Sequence, residues 1–340
     1  MAETFHTLIA RNKRNSWLLI AAFMLFFVVF GGLIGYVAGS YWGGGGTTRT
    51  VVDEQGRRRT VRVESPQPQP YPWSWSIAVA VGAAGVAFVL TLFSYYGGSG
   101  TLLALSKAKP LRREDDPQLY NVVEELCIAG GLPLPKIYMI EDTAMNAFAT
   151  GRDPQHAVVA ITHGLREKLS RDELQGVMAH ELSHVRHYDI LYAMLVAVMV
   201  GVTVMLADVF LRSVWFMGGS RRGDRDRGGG NPAQAILLVL AIVLAILAPI
   251  LARIIQMALS RQREYLADAG SVELTRHPQG LASALAKLAG DTEVLEVANR
   301  ATAPLYIVHP IKRFEERAKG IFETHPPIQD RIARLMSLTR

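Results

Sequence analysis

The sequence predicts an α+β membrane protein with two to four transmembrane helices and a mainly helical domain that carries a small β-sheet. Three observations predict it. Only 19% of the 340 residues are charged and the mean hydropathy is +0.18, whereas about a quarter of a soluble chain is normally charged. The apolar residues gather in four runs instead of spreading through the chain. Between those runs, helical periodicity gives way to short apolar segments bounded by turn residues.

Residues 1–16 form an N-terminal segment with Arg11, Lys13 and Arg14. Residues 17–38 hold no charge and are long enough to cross a hydrocarbon core of about 30 Å as a helix. Residues 75–96 make a second such run. Trp17, Tyr36, Tyr41 and Trp42 flank the first, and Trp73, Trp75, Tyr95 and Tyr96 the second, where interfacial anchors belong. The basic residues ahead of the first run imitate a signal peptide, but the run exceeds a signal-peptide core, so it reads as an uncleaved anchor. Residues 39–74, with Gly43 to Gly46, Arg57, Arg58, Arg59 and a proline-rich stretch at 66–72, have the composition of a loosely ordered loop.

Residues 97–189 begin the water-facing domain. Gln118 to Gly130 has helical periodicity and stops at Gly130 and Gly131. Strands are expected at Lys136 to Glu141, Met145 to Gly151 and Ala157 to Thr162. Ser170 and Glu173 have capping-box spacing and open a helix. No Pro or Gly lies between Gly176 and Gly201, so this helix is expected to run straight into the third apolar run, residues 190–207. A Gly/Arg-rich loop at 208–234 leads to the fourth run, 235–252, and residues 253–340 complete the domain. The third and fourth runs are near the lower length limit for a span, and read either as transmembrane helices or as buried core helices.

A net charge of +6 without a base-reading motif excludes a nucleic-acid binder. Gly43 to Gly46 lack the following Lys-Ser/Thr of a phosphate loop, so no nucleotide is expected and any activity is ATP-independent. The single Cys127 excludes an intrachain disulfide and a multi-thiolate metal site, and reads as a buried, inert thiol. Basic residues crowd both flanks of the first two runs, so charge alone does not orient the chain.

The chemistry concentrates at His180-Glu181-Leu182-Ser183-His184. On a helix, histidines at i and i+4 share a face and can hold one metal ion, with Glu181 beside them to accept a proton from water. The competing reading is a polar helix face with two solvated histidines. A catalytic zinc takes three protein ligands and a water. Glu264 and Asp268 share a helical face beyond the fourth run, so Glu264 fits as the third ligand and Asp268 as the group that orients a histidine. The same spacing fits a surface pair bridged to Arg261 or Arg263, and the two readings stand even. Both segments lie next to apolar runs, which places a metal site at the membrane surface.

These motifs, together with Asn146-Ala147-Phe148-Ala149-Thr150-Gly151, Leu305-Tyr306-Ile307-Val308 and Thr324-His325-Pro326-Pro327 followed by Arg331, resemble the HtpX family of membrane zinc metallopeptidases, relatives of the CAAX prenyl endopeptidases. The resemblance covers nearly the whole chain. It implies a zincin-type (gluzincin) catalytic domain with one zinc ion per chain, held by His180, His184 and Glu264, and Glu181 as general base and acid. It implies that Asn146, Ala147, Phe148, Ala149 and Thr150 bind the substrate backbone by strand addition, where the plainer reading is a core strand. His325 and Arg331 become candidates to stabilise the oxyanion, against a plain helix start at Pro326 and Pro327. The implied setting is the bacterial cytoplasmic (inner) membrane, crossed more than once, with the catalytic domain facing the cytoplasm and residues 39–74 outside it.

The expected function is ATP-independent endoproteolysis of misfolded or damaged membrane proteins, in quality control and stress response, with membrane-protein or peptide substrates and the bilayer as partners. The alternatives are selective processing of the CAAX type and a catalytically silent, zinc-containing membrane scaffold, against which an intact Glu181 argues. The long Arg- and Pro-rich first loop departs from the family pattern. No sequence feature points to an oligomeric state.

Overall fold

A computed structural model describes residues 5–42, 47–52, 58–63, 72–199, 201, 261–291, 293, 295, 306, 307 and 326–338. His325, the loop at 208–234, residues 200 and 202–207 of the third apolar run and the whole fourth run lie outside the described residues. The chain divides into two compact units, one of residues 1–20, 91–205 and 251–340, the other of residues 21–90 and 206–250.

The first two apolar runs form helices α1 (Phe5–Trp42) and α2 (Pro72–Leu105). Their apolar spans, Ile9–Tyr36 and Trp73–Leu105, have mean hydropathies of 2.7 and 2.3. In the second unit the two helices approach backbone to backbone through small residues. A Cβ on Gly31 would lie 2.5 Å from that of Ala83, and one on Gly35 2.5 Å from the Trp75 carbonyl oxygen. Ser76 Oγ donates to the Gly32 carbonyl at 2.7 Å. Small-residue contacts of this kind hold helices together where no hydrophobic gain is available between them. Leu25, Val29, Val81, Phe88 and Val89 point outward and are exposed, a surface suited to lipid. The segment expected as a loose loop contains instead an antiparallel ribbon, β1 (Thr47–Val52) with β2 (Arg58–Val63), in the register Thr50↔Thr60. Its Thr and Val content favours strand over the neighbouring Gly and Pro signals.

In the first unit a short strand, β3 (Lys109–Pro110), precedes α3 (Pro117–Gly130). Asp116 caps α3 by accepting from the Leu119 amide, and Gly131, at φ 62°, ends it. The expected strands follow as β4 (Lys136–Ile140), β5 (Ala147–Thr150) and β6 (Val158–Thr162). They form a mixed sheet in the order β3-β4-β6-β5, with β4 parallel and β5 antiparallel to β6. Alternate residues serve two cores. Ile137, Ala147, Ala149, Val159 and Ile161 face a core with Leu119, Val123, Leu174, Val177 and Leu182, while Ile140, Phe148, Val158 and Ala160 pack with Leu103 and Tyr306. Coverage of both faces explains strands that read as unbroken apolar runs.

A short helix, α4 (His163–Lys168), leads to α5 (Arg171–Arg186). The Ser170 amide donates to Glu173 Oε2 at 2.8 Å and Ser170 Oγ accepts from the Glu173 amide, completing the capping box. Helix α5 does not continue into the third apolar run as expected. It stops at Arg186, Tyr188 takes a left-handed conformation at φ 60°, and a separate helix, α6 (Asp189–Met199), begins. Contacts from α1 cover the break: Lys13 Nζ lies 4.1 Å from the centre of the Tyr188 ring, and Asn12 Nδ2 donates to the His187 carbonyl. The beginning of α6 is buried, with Met194, Leu195 and Val196 in the core.

Helices α7 (Arg261–Thr275), α8 (Pro278–Gly290) and α9 (Ile328–Ser337) complete the unit. Both α7 and α8 press on α5 through glycines. A Cβ on Gly176 would lie 2.5 Å from the Leu281 amide nitrogen, and one on Gly270 2.1 Å from Ser183 Oγ. Ser271 Oγ donates to the Gly176 carbonyl at 2.9 Å and fixes the crossing.

Candidate metal centre

The capping box sets the start of α5, and with it the face on which His180 and His184 project one turn apart. The Gly270 contact brings α7 close enough for Glu264 to reach both. His180 Nε2 lies 3.2 Å from His184 Nε2 and 3.7 Å from Glu264 Oε2, and His184 Nε2 lies 3.6 Å from Glu264 Oε1. Ligand atoms at a tetrahedral zinc with bonds of about 2.0–2.1 Å stand about 3.3 Å apart, so the triangle is of the right size. Two imidazoles and one carboxylate are also the donor set of a hydrolytic zinc site that keeps a position open for water. Among the described residues, these three form the group able to hold a metal ion.

The ring nitrogens pointing away from the triangle are each held by a carboxylate. His180 Nδ1 is 3.0 Å from Asp268 Oδ1, and His184 Nδ1 is 3.1 Å from Asp189 Oδ2. These contacts select the tautomers that leave Nε2 free to bind metal. Arg331, fully buried, spans the two carboxylates of α7: Nη2 and Nε donate to Asp268 at 2.7 and 2.9 Å, and Nη1 stands 3.2 Å from Glu264 Oε2. Its guanidinium is engaged with α7, and it ties α9 to the centre. The spacing of Glu264 and Asp268, which served ligand and surface-pair readings equally, is here turned inward.

Electrostatics separates the roles. Burial pushes the Glu181 carboxyl up to about 7, with the Glu264 charge adding to it, while His184, the Ala149 amide and Arg331 oppose the shift. Glu181 is thus poised to exchange a proton near neutral pH. Burial alone would lower the His184 pKa, but Asp189 on Nδ1 and the charge of Glu264 raise it to about 9 in the metal-free centre, so a metal ion that binds Nε2 displaces a proton from it. His180 is shifted the other way by its deeper burial, against the pull of Asp268. Arg331 and His180 hold Asp268 below the usual carboxylate range despite its burial.

Strand β5 lies at the sheet edge beside α5. Asn146 is fastened to β6 by its amide, which donates to Thr162 Oγ1, and by its carbonyl, which accepts from the Thr162 amide, both at 2.9 Å. The outward groups of β5 include the Ala147 carbonyl, which accepts from the Ile307 amide at 3.0 Å, and the Ala149 amide, whose pull lowers the pKa of the Glu181 carboxyl. Phe148 packs edge-on against Tyr306, with ring centres 5.2 Å apart. Thr150 is fully buried. The strand and the candidate base therefore form one unit, while His325 lies outside the described residues.

Sequence reasoning missed Asp189 and Asn12, and gave Arg263 the wrong partner. Asn12 Nδ2 donates to Asp189 Oδ1 at 2.6 Å, and Arg263 Nε lies 3.6 Å from the same oxygen. Asp189 follows His184 by a spacing that no continuous helix would bring back to the ring. The signal that it does return is the turn at Tyr188, which has no local sequence mark.

Residues 113–339 match Peptidase family M48. Relatives named "Protease HtpX homolog" include one from Dictyoglomus turgidum, 40% identical over 98% of this chain and 94% of that protein, and one from Lactobacillus acidophilus, 39% identical over 96% and 97%. A third, from Thermoanaerobacter pseudethanolicus, is 47% identical over 70% of this chain and 77% of its own. Among solved structures, the crystal structure of S. mikatae Ste24p is similar at a TM-score of 0.40 and 20% identity, over 77% of this chain and 64% of that one.

Proposed function

The chain belongs to peptidase family M48, alongside HtpX-type proteases, and from that premise we propose that this membrane metalloprotease is a zinc endopeptidase acting on misfolded or damaged membrane proteins. The observation that carries the reading is the inward triangle of His180, His184 and Glu264 with Glu181 beside it, next to an edge strand whose Ala149 amide acts on the Glu181 carboxyl. His180, His184 and Glu264 hold the ion, one per chain. A zinc ion there would polarise the scissile carbonyl and acidify a water molecule. Glu181 takes the proton of the attacking water and passes it to the leaving amine, and its burial, which favours the protonated carboxyl, helps it hold that proton between the two transfers. Asp189 and Asp268 hold the two imidazoles, and Arg331 balances the carboxylates of α7. His325 is the proposed donor to the developing oxyanion.

The substrate backbone adds to β5 as a further strand along Asn146 to Thr150. The Ile307 amide already bonds the Ala147 carbonyl, so an added strand exchanges that bond for its own. The feature that supports membrane-protein substrates is the anchor itself: Asn12, at the head of α1, touches Asp189 beside the centre, so that catalysis would take place close to where the anchor begins. We assign that face to the cytoplasm of a bacterial inner membrane in line with the family resemblance; Arg11, Lys13 and Arg14 are matched by arginines beyond the first run and do not decide it. The mechanism uses no nucleotide.

The test is cleavage, in proteoliposomes without ATP, of a membrane protein in its folded form and in a destabilised variant, with Glu264→Ala as control. Preferential cleavage of the destabilised form, lost with the metal in Glu264→Ala, is expected. Cleavage confined to a lipid-modified C-terminus would favour selective processing, and metal binding without any cleavage would favour a silent scaffold.

A further inference from the structure

A polar residue ahead of a membrane anchor is ordinarily solvated, and asparagine is a poor helix former because its side chain competes for backbone groups. Asn12 sits inside α1 and is only 3% exposed. Both hydrogens of its side-chain amide are spent on acceptors far along the chain: the His187 carbonyl oxygen at 2.9 Å and Asp189 Oδ1 at 2.6 Å. The other oxygen of Asp189 lies 3.1 Å from His184 Nδ1. A chain of hydrogen bonds therefore runs from the head of the first membrane helix to a nitrogen of the candidate metal ligand. Lys13, next to Asn12, caps the Tyr188 ring, so two consecutive residues of α1 grip the turn that carries Asp189.

We propose that Asn12 is a positioning residue of the metal centre: it orients Asp189, which orients the His184 imidazole, so the head of the membrane anchor is part of the zinc site and not only a tether. The inference rests on reading His184 as a ligand. Its physical content is that Asp189 must present one oxygen to His184 and that Asn12 is the nearest group fixing the other. The next nearest cation, Arg263 Nε at 3.6 Å, is too far for a hydrogen bond and lies over the Tyr192 ring at 4.7 Å. Replacing Asn12 by an apolar residue removes the donor and leaves two buried acceptors, which lets the carboxylate rotate toward other donors.

The experiment measures zinc affinity by chelator competition, and thermal unfolding of the zinc-free protein, on the full chain in detergent or nanodiscs. Asn12→Leu keeps the branched four-atom side chain and removes both bonds, and Asn12→Ala carries the same test if the bulkier leucine variant does not fold. Ser16→Ala is the comparison, because Ser16 Oγ donates at 2.9 Å to the Asn12 carbonyl on the same buried face and does not touch Asp189. The expected result is an affinity about tenfold weaker for the Asn12 variants, at the low end of the loss for direct partners of a ligand, and unchanged for Ser16→Ala. Zinc affinity equal to wild type in the Asn12 variants, even with a lowered unfolding temperature, would overturn the inference and leave Asn12 a helix-packing residue. A His184→Ala protein that binds zinc as tightly as wild type would instead sink the assignment of the centre itself.

Discussion

The position of Glu264 depends on a contact that one methyl group would break. A Cβ on Gly270 would stand 2.1 Å from Ser183 Oγ and 2.9 Å from Ser183 Cβ. The hydroxyl can rotate away, but the Cβ is fixed to the backbone of α5. Carbon atoms settle at about 3.5–4.0 Å, so Gly270→Ala forces α7 outward by roughly 1 Å. Overpacking of this kind costs about 1–3 kcal/mol. The same displacement stretches the 3.0 Å contact between Asp268 and His180 beyond hydrogen-bonding distance. Losing a carboxylate that orients a ligating histidine weakens metal binding by about 10- to 100-fold. Chelator competition on the purified variant reads that loss directly. Combining Gly270→Ala with Ser183→Gly removes the obstructing atoms and should restore most of the affinity, while thermal stability stays below wild type because glycine in a helix costs about 1 kcal/mol. Wild-type affinity in Gly270→Ala, or no recovery in the double variant, would refute the claim that this crossing places Glu264.

Arg331→Leu leaves the buried carboxylates of Asp268 and Glu264 without their shared cation and should destabilise the protein by about 3–5 kcal/mol in denaturant titration; a loss below 1 kcal/mol would contradict the clamp. Glu173 is held at a pKa of about 2, because Lys287, Ser283 and the Ser170 amide outweigh the burial that would raise it from 4.5. A depressed carboxylate stabilises the fold fully above its unfolded value, so stability should fall as pH drops from 4.5 toward 2. Glu173→Gln should flatten that limb in thermal melts across the range. Ala149→Pro removes the outward amide that acts on the Glu181 carboxyl and that an added strand would use, so cleavage should drop by at least about tenfold, or 1.4 kcal/mol, with zinc content unchanged.

Much of this centre was legible because its signals are local. The i, i+4 histidines, the Ser170 and Glu173 pair and the strand runs at β4, β5 and β6 depend on spacing along one element, and each forms where the spacing says. The end of α5 was not legible, because Tyr188 turns against contacts from Asn12 and Lys13, more than 170 residues earlier in the chain. Asp189 was missed for the same reason. Glu264 and Asp268 had a spacing that serves a surface pair as well as a ligand pair, and the decision lies with Gly270, whose missing side chain carries no pattern of its own. Arg331 was a candidate only through the family resemblance, and its engagement with Asp268 and Glu264 follows from the packing of α9 on α7. The ribbon of Thr47–Val52 and Arg58–Val63 was hidden by Gly and Pro on either side of it.

The most direct test of the account is Glu181→Gln. The variant keeps size and packing but cannot take a proton, and the ligands His180, His184 and Glu264 are untouched. Metal analysis of the purified protein, paired with cleavage of an unfolded membrane-protein substrate, should give one zinc per chain as in wild type and no detectable cleavage. Sustained cleavage by the zinc-loaded variant, or loss of zinc along with activity, would contradict the assignment of Glu181 as the proton-transferring group beside an intact metal centre.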